Sequence, residues 1–166
     1  MGVIKQTNYV ELVGVDEQVA QNTWGGSVQI PFKAETQGIF VHTVLARQGY
    51  DKAAGAFLSL TGKIVFFMGD PAVAAGTALA ALTRAQVNKI VAVVDVAAAD
   101  WYNMDDVGTD ASALAVLHMA ANEGVIPLPR MADGDLYAAW LHTLATAINS
   151  GATDQEDIYV KLVYDS

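Results

Sequence analysis

The sequence contains no cysteine, which excludes disulfides, thiolate zinc sites and cysteine nucleophiles. Basic residues are also scarce, since nine Lys and Arg stand against eighteen Asp and Glu and give a formal net charge of −9. Nucleic acids and anionic membranes both require clustered basic residues, so neither is an expected partner. The sequence opens on no signal peptide and has no apolar stretch long enough to span a bilayer, which predicts a cytoplasmic or virion location.

The sequence also lacks the usual motifs of catalysis. The run from Gly69 to Gly76 is no G-x-G-x-x-G phosphate loop, and there is no G-x-S-x-G nucleophile elbow. The three histidines, His42, His118 and His142, have none of the spacings of a metal site. We therefore predict no catalytic residue, no metal site and no cofactor, and we interpret each histidine as a surface or packing residue.

The stretch from Lys63 to Asp100 is the most informative part of the chain. The apolar runs at 64–68 and 90–94 do not alternate with polar residues, which predicts strands that are covered on both faces. Between them, Asp70 and Pro71 are a favoured cap and first residue for a helix over residues 71–87. Together these features predict a strand–helix–strand unit with parallel strands.

The remaining segments complete the predicted fold. Caps and apolar spacing predict further helices at about 110–122 and at about 133–150, the latter with Leu136, Trp140, Leu144 and Ile148 on one stripe. Strands are expected near 27–30, 39–45, 125–129 and 157–164, and residues 53–60 fit either a hairpin strand or a helix. The prediction is one α/β domain over residues 1–166, with about three helices on a mixed sheet in two layers. An extended N-terminal arm covers about residues 1–15.

Two carboxylates are the candidate ligand-binding residues. Asp70 and Asp95 each follow a predicted strand, and the carboxyl ends of parallel strands are where α/β folds usually bind ligands. Two such groups could hold a metal ion or a ribose hydroxyl. The plainer interpretation is favoured, in which Asp70 caps a helix and Asp95 ends a strand, because a helix cap needs no ligand to explain it.

Aromatic residues in polar segments are the candidate interface residues. Trp24 stands beside a glycine pair, Trp101 and Tyr102 precede acidic residues, and Tyr9 lies in the N-terminal arm. The loop aromatics are more simply explained as part of the core. If they are exposed, Trp and Tyr are the residue types that concentrate binding energy at protein interfaces.

These observations favour a structural or assembly protein without catalysis. Such a protein would act as a homo-oligomer or within a larger assembly of protein partners. A bacteriophage virion component that decorates a head or joins head to tail fits the arm, the acidic balance and the alanine-rich segments. The alternative left open is a small α/β ligand-binding domain or enzyme with its site near Asp70 and Asp95.

Overall fold

A computed structural model of the chain describes residues 4–14, 17–31, 39–51, 60–103, 110–118, 126–128, 135–148 and 156–165. Within these ranges the only α-helix is α1 (Arg84–Val87), and the rest of the regular structure is strand apart from two short 3-10 turns. The strands are β1 (Ile4–Gln6), β2 (Val10–Val13), β3 (Val28–Gln29), β4 (Ile39–Asp51), β5 (Gly62–Met68), β6 (Ile90–Val96), β7 (Trp101–Asn103), β8 (Asp110–His118), β9 (Ile126–Leu128), β10 (Leu136–His142) and β11 (Glu156–Asp165).

The strands form two antiparallel sheets. The larger has seven strands in the order β1-β11-β4-β8-β7, with β2 also pairing with β11 and β9 with β4. The smaller has four strands in the order β3-β10-β5-β6. Every pairing between described strands is antiparallel. The predicted α/β class, with about three helices on a mixed sheet, is therefore wrong.

The predicted parallel strand–helix–strand unit is replaced by an antiparallel pair. β5 and β6 pair antiparallel, with Lys63 opposite Asp95. Between these strands, the segment 69–83 contains no α-helix and only one 3-10 turn, Leu79–Ala81. The backbone takes positive φ at Gly69 (78°), Ala72 (50°) and Gly76 (76°). A right-handed helix cannot continue through such residues, which explains why the Asp70–Pro71 start signal is not followed by a helix.

The other two predicted helices are also wrong over their described residues. Residues 110–118 form β8, and residues 135–148 contain β10 followed by irregular structure at 143–148. In β10, Leu136, Ala138 and Trp140 belong to one buried cluster, while Ala139 and Leu141 belong to another. The stripe used to predict a helix has a spacing of four residues. Because four is an even number, Leu136 and Trp140, the two stripe residues that lie in β10, share a face of the strand as they would share a face of a helix. A strand that is buried on both sides offers no polar positions to distinguish the two periods.

Several of the predicted strands are confirmed. β3, β4, β9 and β11 lie where extended segments were expected, although β4 runs on to Asp51. The choice between strand and helix for residues 53–60 falls almost entirely outside the described residues. So does the end of the predicted helix at 119–122, together with the first three residues of the chain.

The two sheets pack face to face around the main core. This core contains β11 residues Ile158, Val160 and Leu162 together with residues of the smaller sheet such as Ile64 and Trp140. A second buried cluster lies on the outer face of the smaller sheet and comprises Trp24, Val65, Phe67, Val73, Ala139 and Leu141. β5 and β10 are therefore buried on both faces, as the unbroken apolar run at 64–68 predicted. The same prediction for the run at 90–94 is wrong, because β6 is an edge strand whose Val93 is 49% exposed.

Residues 69–83, hereafter the covering segment, close the second cluster from outside. Val73 belongs to the cluster and Leu82 packs against it. The covering segment also bonds to the backbone of residues 24–27: the Trp24 N–H donates to the Thr77 carbonyl at 2.9 Å, and the Gly76 N–H donates to the Trp24 carbonyl at 2.7 Å. These bonds cover the edge of the smaller sheet next to β3, where strands are otherwise open to pairing.

Candidate functional site

The first feature of the candidate site is an open sheet edge near the start of the sequence. Residues 4–13, hereafter the N-terminal edge, run antiparallel along β11, first as β1 and then as β2. Where the two strands are interrupted, the Thr7 N–H donates to the Leu162 carbonyl at 3.0 Å, and the Thr7 hydroxyl accepts from the Leu162 N–H at 3.0 Å. Among the described strands, none pairs with the opposite side of this edge.

The second feature is a group of cations and tyrosines beside this edge. The Arg47 guanidinium carbon lies 4.7 Å from the centroid of the Tyr159 ring and 5.6 Å from that of the Tyr9 ring. The Lys161 ammonium lies 5.4 Å from the centroid of the same Tyr9 ring. Each distance is within the range of a cation–π interaction. We call Tyr9, Arg47, Tyr159 and Lys161 the cation–tyrosine patch.

The strand register explains why these residues meet. Tyr159 lies opposite Arg47 on β4 and opposite Glu11 on β2. Directly opposed residues of antiparallel strands project from the same face of a sheet. In β11 the alternate residues Ile158, Val160 and Leu162 are buried in the main core. Tyr159 and Lys161 therefore project from the outer face of the larger sheet.

Tyr159 is fixed as a neutral hydrogen-bond donor. Its hydroxyl donates to Glu11 Oε2 at 2.9 Å. Burial raises the pKa of Tyr159 to about 12, and the hydrogen bond to Glu11 and the nearby Asp157 carboxylate act in the same direction. The phenol thus keeps its proton throughout the physiological range, and the carboxylates of Glu11 and Asp157 both lie close to it.

The two candidate ligand carboxylates lie far apart. Asp70 follows the end of β5, and its Oδ1 accepts a 2.7 Å hydrogen bond from the Ala72 N–H. Asp95 lies beside Lys63 near the beginning of β5 and forms an ion pair with it. Because β5 and β6 are antiparallel, the two carboxylates are at opposite ends of the strand, roughly 20 Å apart at 3.3 Å per residue. The structure does not bring them to one site.

The candidate interface aromatics separate into two groups. Trp24 and Trp101 are 2% and 7% exposed, so both are core residues. Trp24 packs against Phe67 with ring centroids 6.1 Å apart, and Trp101 donates from Nε1 to the Leu60 carbonyl at 2.7 Å. Tyr9 and Tyr102 are 37% and 63% exposed and remain available at the surface. Tyr9 contributes to the cation–tyrosine patch, and Tyr102 lies on β7 at the far edge of the larger sheet.

His142 is a buried packing residue. Trp140 Nε1 donates to His142 Nδ1 at 3.4 Å, which leaves the ring proton on Nε2 to be donated to the Thr146 carbonyl at 2.7 Å. Burial lowers the pKa of His142 below its ordinary value of 6.5, and the bond to Thr146 opposes this shift. Both ring nitrogens are thus engaged within the fold. His42 lies on β4 and His118 on β8.

Sequence analysis missed four residues of this site, namely Glu11, Arg47, Tyr159 and Lys161. A partial signal exists, because the alternation of 158–164 already places Tyr159 and Lys161 on the polar face of a strand. The contact with Arg47 depends on which strands pair, and strand pairing cannot be obtained from periodicity alone. In the described ranges, no group of three or more His, Asp or Glu side chains could hold a metal ion.

Comparison with known proteins gives little further information. No protein-family model matches the sequence and no curated protein matches it. Among solved structures, the chain is similar to a chain of the cryo-EM structure of giant freshwater prawn Macrobrachium rosenbergii nodavirus (MrNV) semi-empty VLP, with a TM-score of 0.29 and 13% sequence identity, over 99% of this chain and 93% of that chain. A TM-score of this size does not establish a shared fold. Within the described ranges, no helix has the length and apolar character needed to cross a membrane.

Proposed function

We propose that this chain is an assembly subunit, and that a strand from a neighbouring copy adds to its N-terminal edge. The observation that carries the proposal is the side of residues 4–13 with which no described strand pairs. This side is covered only at its end, where Leu12 and Val13 are buried against Gly25. Backbone N–H and C=O groups along such an edge form a template for a further strand. Strand addition of this kind satisfies backbone groups of both chains at once.

The N-terminal edge has little of the protection that monomeric proteins give to an exposed strand. Sheet edges are normally guarded by charges, prolines or a covering segment. Residues 4–13 contain no proline and only two charged residues, Lys5 and Glu11, and Glu11 is engaged by Tyr159. Ile4, on β1, is instead 74% exposed and offers an apolar contact to a neighbour. By contrast, the edge beside β3 is covered by its own chain.

The finer proposal is that the assembly is a bacteriophage virion, in which the chain decorates the head or joins head to tail. Two-sheet antiparallel architectures occur in viral capsid and lectin domains, among others, so the fold is compatible with this role. The net charge of −9 favours protein partners over nucleic acid. The proposed localisation is the virion, or the cytoplasm before assembly.

In an antiparallel pair, successive residues direct their backbone N–H and C=O groups to alternate sides of the strand. This alternation allows the outward side of the N-terminal edge to be tested separately. The Thr7 N–H points to β11, so the N–H and C=O of Gln6 point to the open side. Gln6→Pro removes one outward donor and leaves the bonds to β11 intact, because proline is tolerated where the N–H of an edge strand faces solvent. Gln6→Ala is the matched control, since it removes the same side chain and keeps the donor.

Sedimentation velocity and light scattering would report assembly, and circular dichroism would report the fold. We expect wild type and Gln6→Ala to sediment well above the monomer mass of 17.5 kDa, and Gln6→Pro to be folded and monomeric. A wild-type chain that stays monomeric at all concentrations would refute the proposed function. A folded Gln6→Pro chain that assembles as well as Gln6→Ala would show that the N-terminal edge is not the contact.

A further inference from the structure

The strand β6 is a second sheet edge with one side on which no described strand pairs. It lies at the end of the smaller sheet and pairs there with β5 alone among the described strands. Its seven residues contain no proline and a single charged residue, Asp95, which forms an ion pair with Lys63. The Val93 side chain is 49% exposed. Like the N-terminal edge, β6 therefore has few of the devices that keep an edge strand from pairing.

The hydrogen bonds of β5 show which backbone groups of β6 face this second side. At the end of β5 the Met68 N–H donates to the Lys89 carbonyl, so the backbone of Met68 is directed to the β6 side. Alternate residues of a strand are directed to the same side, and these include Ile64, which lies opposite Val94. Val94 therefore bonds to β5, and the N–H and C=O of the preceding residue, Val93, face away from β5.

The length of β6 matches the open stretch of the N-terminal edge. That stretch is residues 4–11, because Leu12 and Val13 are buried against Gly25. Of the other described edge strands, β7 and β9 have only three residues each, and β3 is covered by the covering segment. The seven residues of β6 span roughly 23 Å at about 3.3 Å per residue. This is enough to lie along nearly all of the open stretch.

We propose that the strand added to the N-terminal edge is β6 of the neighbouring copy. This inference rests on the proposed function, and it names the strand that the neighbour contributes. The contact is head to tail, since each copy gives its β6 to one neighbour and receives β6 from another. A symmetric contact between two N-terminal edges would leave β6 unpaired in both copies, whereas the head-to-tail contact pairs both edges. Contacts of this kind continue into a ring or a filament.

The side chains of the two edges also suit this contact. Ile4 is 74% exposed and Val93 is 49% exposed, and β-branched side chains that pair across strands stabilise a sheet. The formal net charge of −9 makes most of the surface of one copy repel another. Residues 4–11 contain one base and one acid, and the single carboxylate of β6 is paired with Lys63. Pairing of these two edges therefore avoids most of that repulsion.

Two proline variants, each blocking one edge, test the contact by complementation. Gln6→Pro blocks the N-terminal edge, and Val93→Pro removes the outward donor of β6 while leaving the bonds to β5 intact. Val93→Ala is the matched control, because it shortens the same side chain and keeps the donor. Each proline variant alone should be folded by circular dichroism, with a dissociation constant for self-association at least about tenfold above that of Val93→Ala.

Mixing the two proline variants gives the decisive measurement. The intact N-terminal edge of Val93→Pro can receive the intact β6 of Gln6→Pro, and neither chain can extend the complex further. Sedimentation velocity should therefore show a complex of twice the monomer mass of 17.5 kDa in the mixture and monomers in each separate sample. Val93→Lys blocks β6 in a second way should Val93→Pro unfold, because lysine on an exposed strand opposes edge pairing. It should complement Gln6→Pro in the same manner.

The remaining outcomes separate this inference from the proposed function. If folded Val93→Pro and Val93→Lys assemble as well as Val93→Ala while Gln6→Pro stays monomeric, the N-terminal edge receives a different strand. The inference is then wrong, although the proposed function stands. If the blocked variants are monomeric alone and also when mixed, the two edges do not meet, and the inference is again overturned. If the wild-type chain is monomeric at all concentrations, both proposals fail.

Discussion

Gly62 is the position at which one added methyl group should damage this fold most. A Cβ at Gly62 would lie 2.3 Å from Trp140 Cζ2 and 2.6 Å from the Leu141 carbonyl oxygen. Carbon atoms in a protein interior normally approach to about 3.5–4.0 Å, so the neighbours would have to move by more than 1 Å. Trp140 is fully buried between the sheets, and the Leu141 carbonyl belongs to the backbone of β10, which pairs with β5. Neither group is free to move.

We therefore expect Gly62→Ala to destabilise the protein by about 3 kcal/mol, at the upper end of the usual cost of overpacking. Gly26→Ala is the matched control, because its Cβ would meet only the Ala75 amide nitrogen at 3.9 Å. That is ordinary contact, so Gly26→Ala should be neutral or stabilising by up to about 1 kcal/mol. Urea denaturation followed by tryptophan fluorescence measures both, and the midpoint for Gly62→Ala should fall by roughly 1–2 M.

A double-mutant cycle locates the cause of this loss. Trp140→Phe removes the indole atoms that an alanine at position 62 would meet, so Gly62→Ala should cost at least about 1 kcal/mol less in that background than in the wild type. Additive effects would show that the indole is not the obstacle. A Gly62→Ala variant within about 1 kcal/mol of wild type would refute the packing argument itself.

The remaining predictions concern His142 and the covering segment. Since its folded pKa lies below the ordinary 6.5, the stability due to His142 is complete above pH 6.5 and falls by up to about 1.4 kcal/mol per pH unit below it. Urea denaturation between pH 7.5 and 5.5 should show that the free energy of unfolding falls with pH in the wild type and falls less in His142→Asn. Equal pH dependence in the two would show that His142 is not the group responsible. Ala72→Gly should stabilise by about 1 kcal/mol, because Ala72 has a φ of 50°. The control Ala74→Gly should not stabilise, and equal melting temperatures for the two would exclude backbone strain at Ala72.

Burial was easier to predict from the sequence than strand pairing. The apolar run at 64–68 correctly predicted a strand covered on both faces, and Val65 and Phe67 are indeed buried under the covering segment. Parallel pairing was predicted from the helix that was expected between the runs at 64–68 and 90–94. Here an irregular segment takes the place of the helix. Such a segment has no period of its own, so hydrophobic spacing could not reveal it.

The site was less predictable than the fold. The sequence favoured a core position for Trp24 and Trp101, but it could not decide between core and interface, because burial depends on which segments pack against each indole. Arg47 had no signal at all, since its importance arises from lying opposite Tyr159 in a strand more than a hundred residues away in sequence. Asp70 and Asp95 were placed together only because the strands before them were taken as parallel. Antiparallel pairing separates them by the length of β5.

The position of β11 in the larger sheet also has a consequence for how the protein is made. β11 lies between β4 and the N-terminal strands, and Ile4 is opposite Asp165. The strands that flank β11 leave the ribosome long before it does, and at about 5–20 residues per second they wait on the order of 10 s for their partner. Sheets built from such distant pairings also fold slowly, in milliseconds to seconds. We expect the nascent chain to depend on chaperones, and its yield in cells to fall when translation outpaces them.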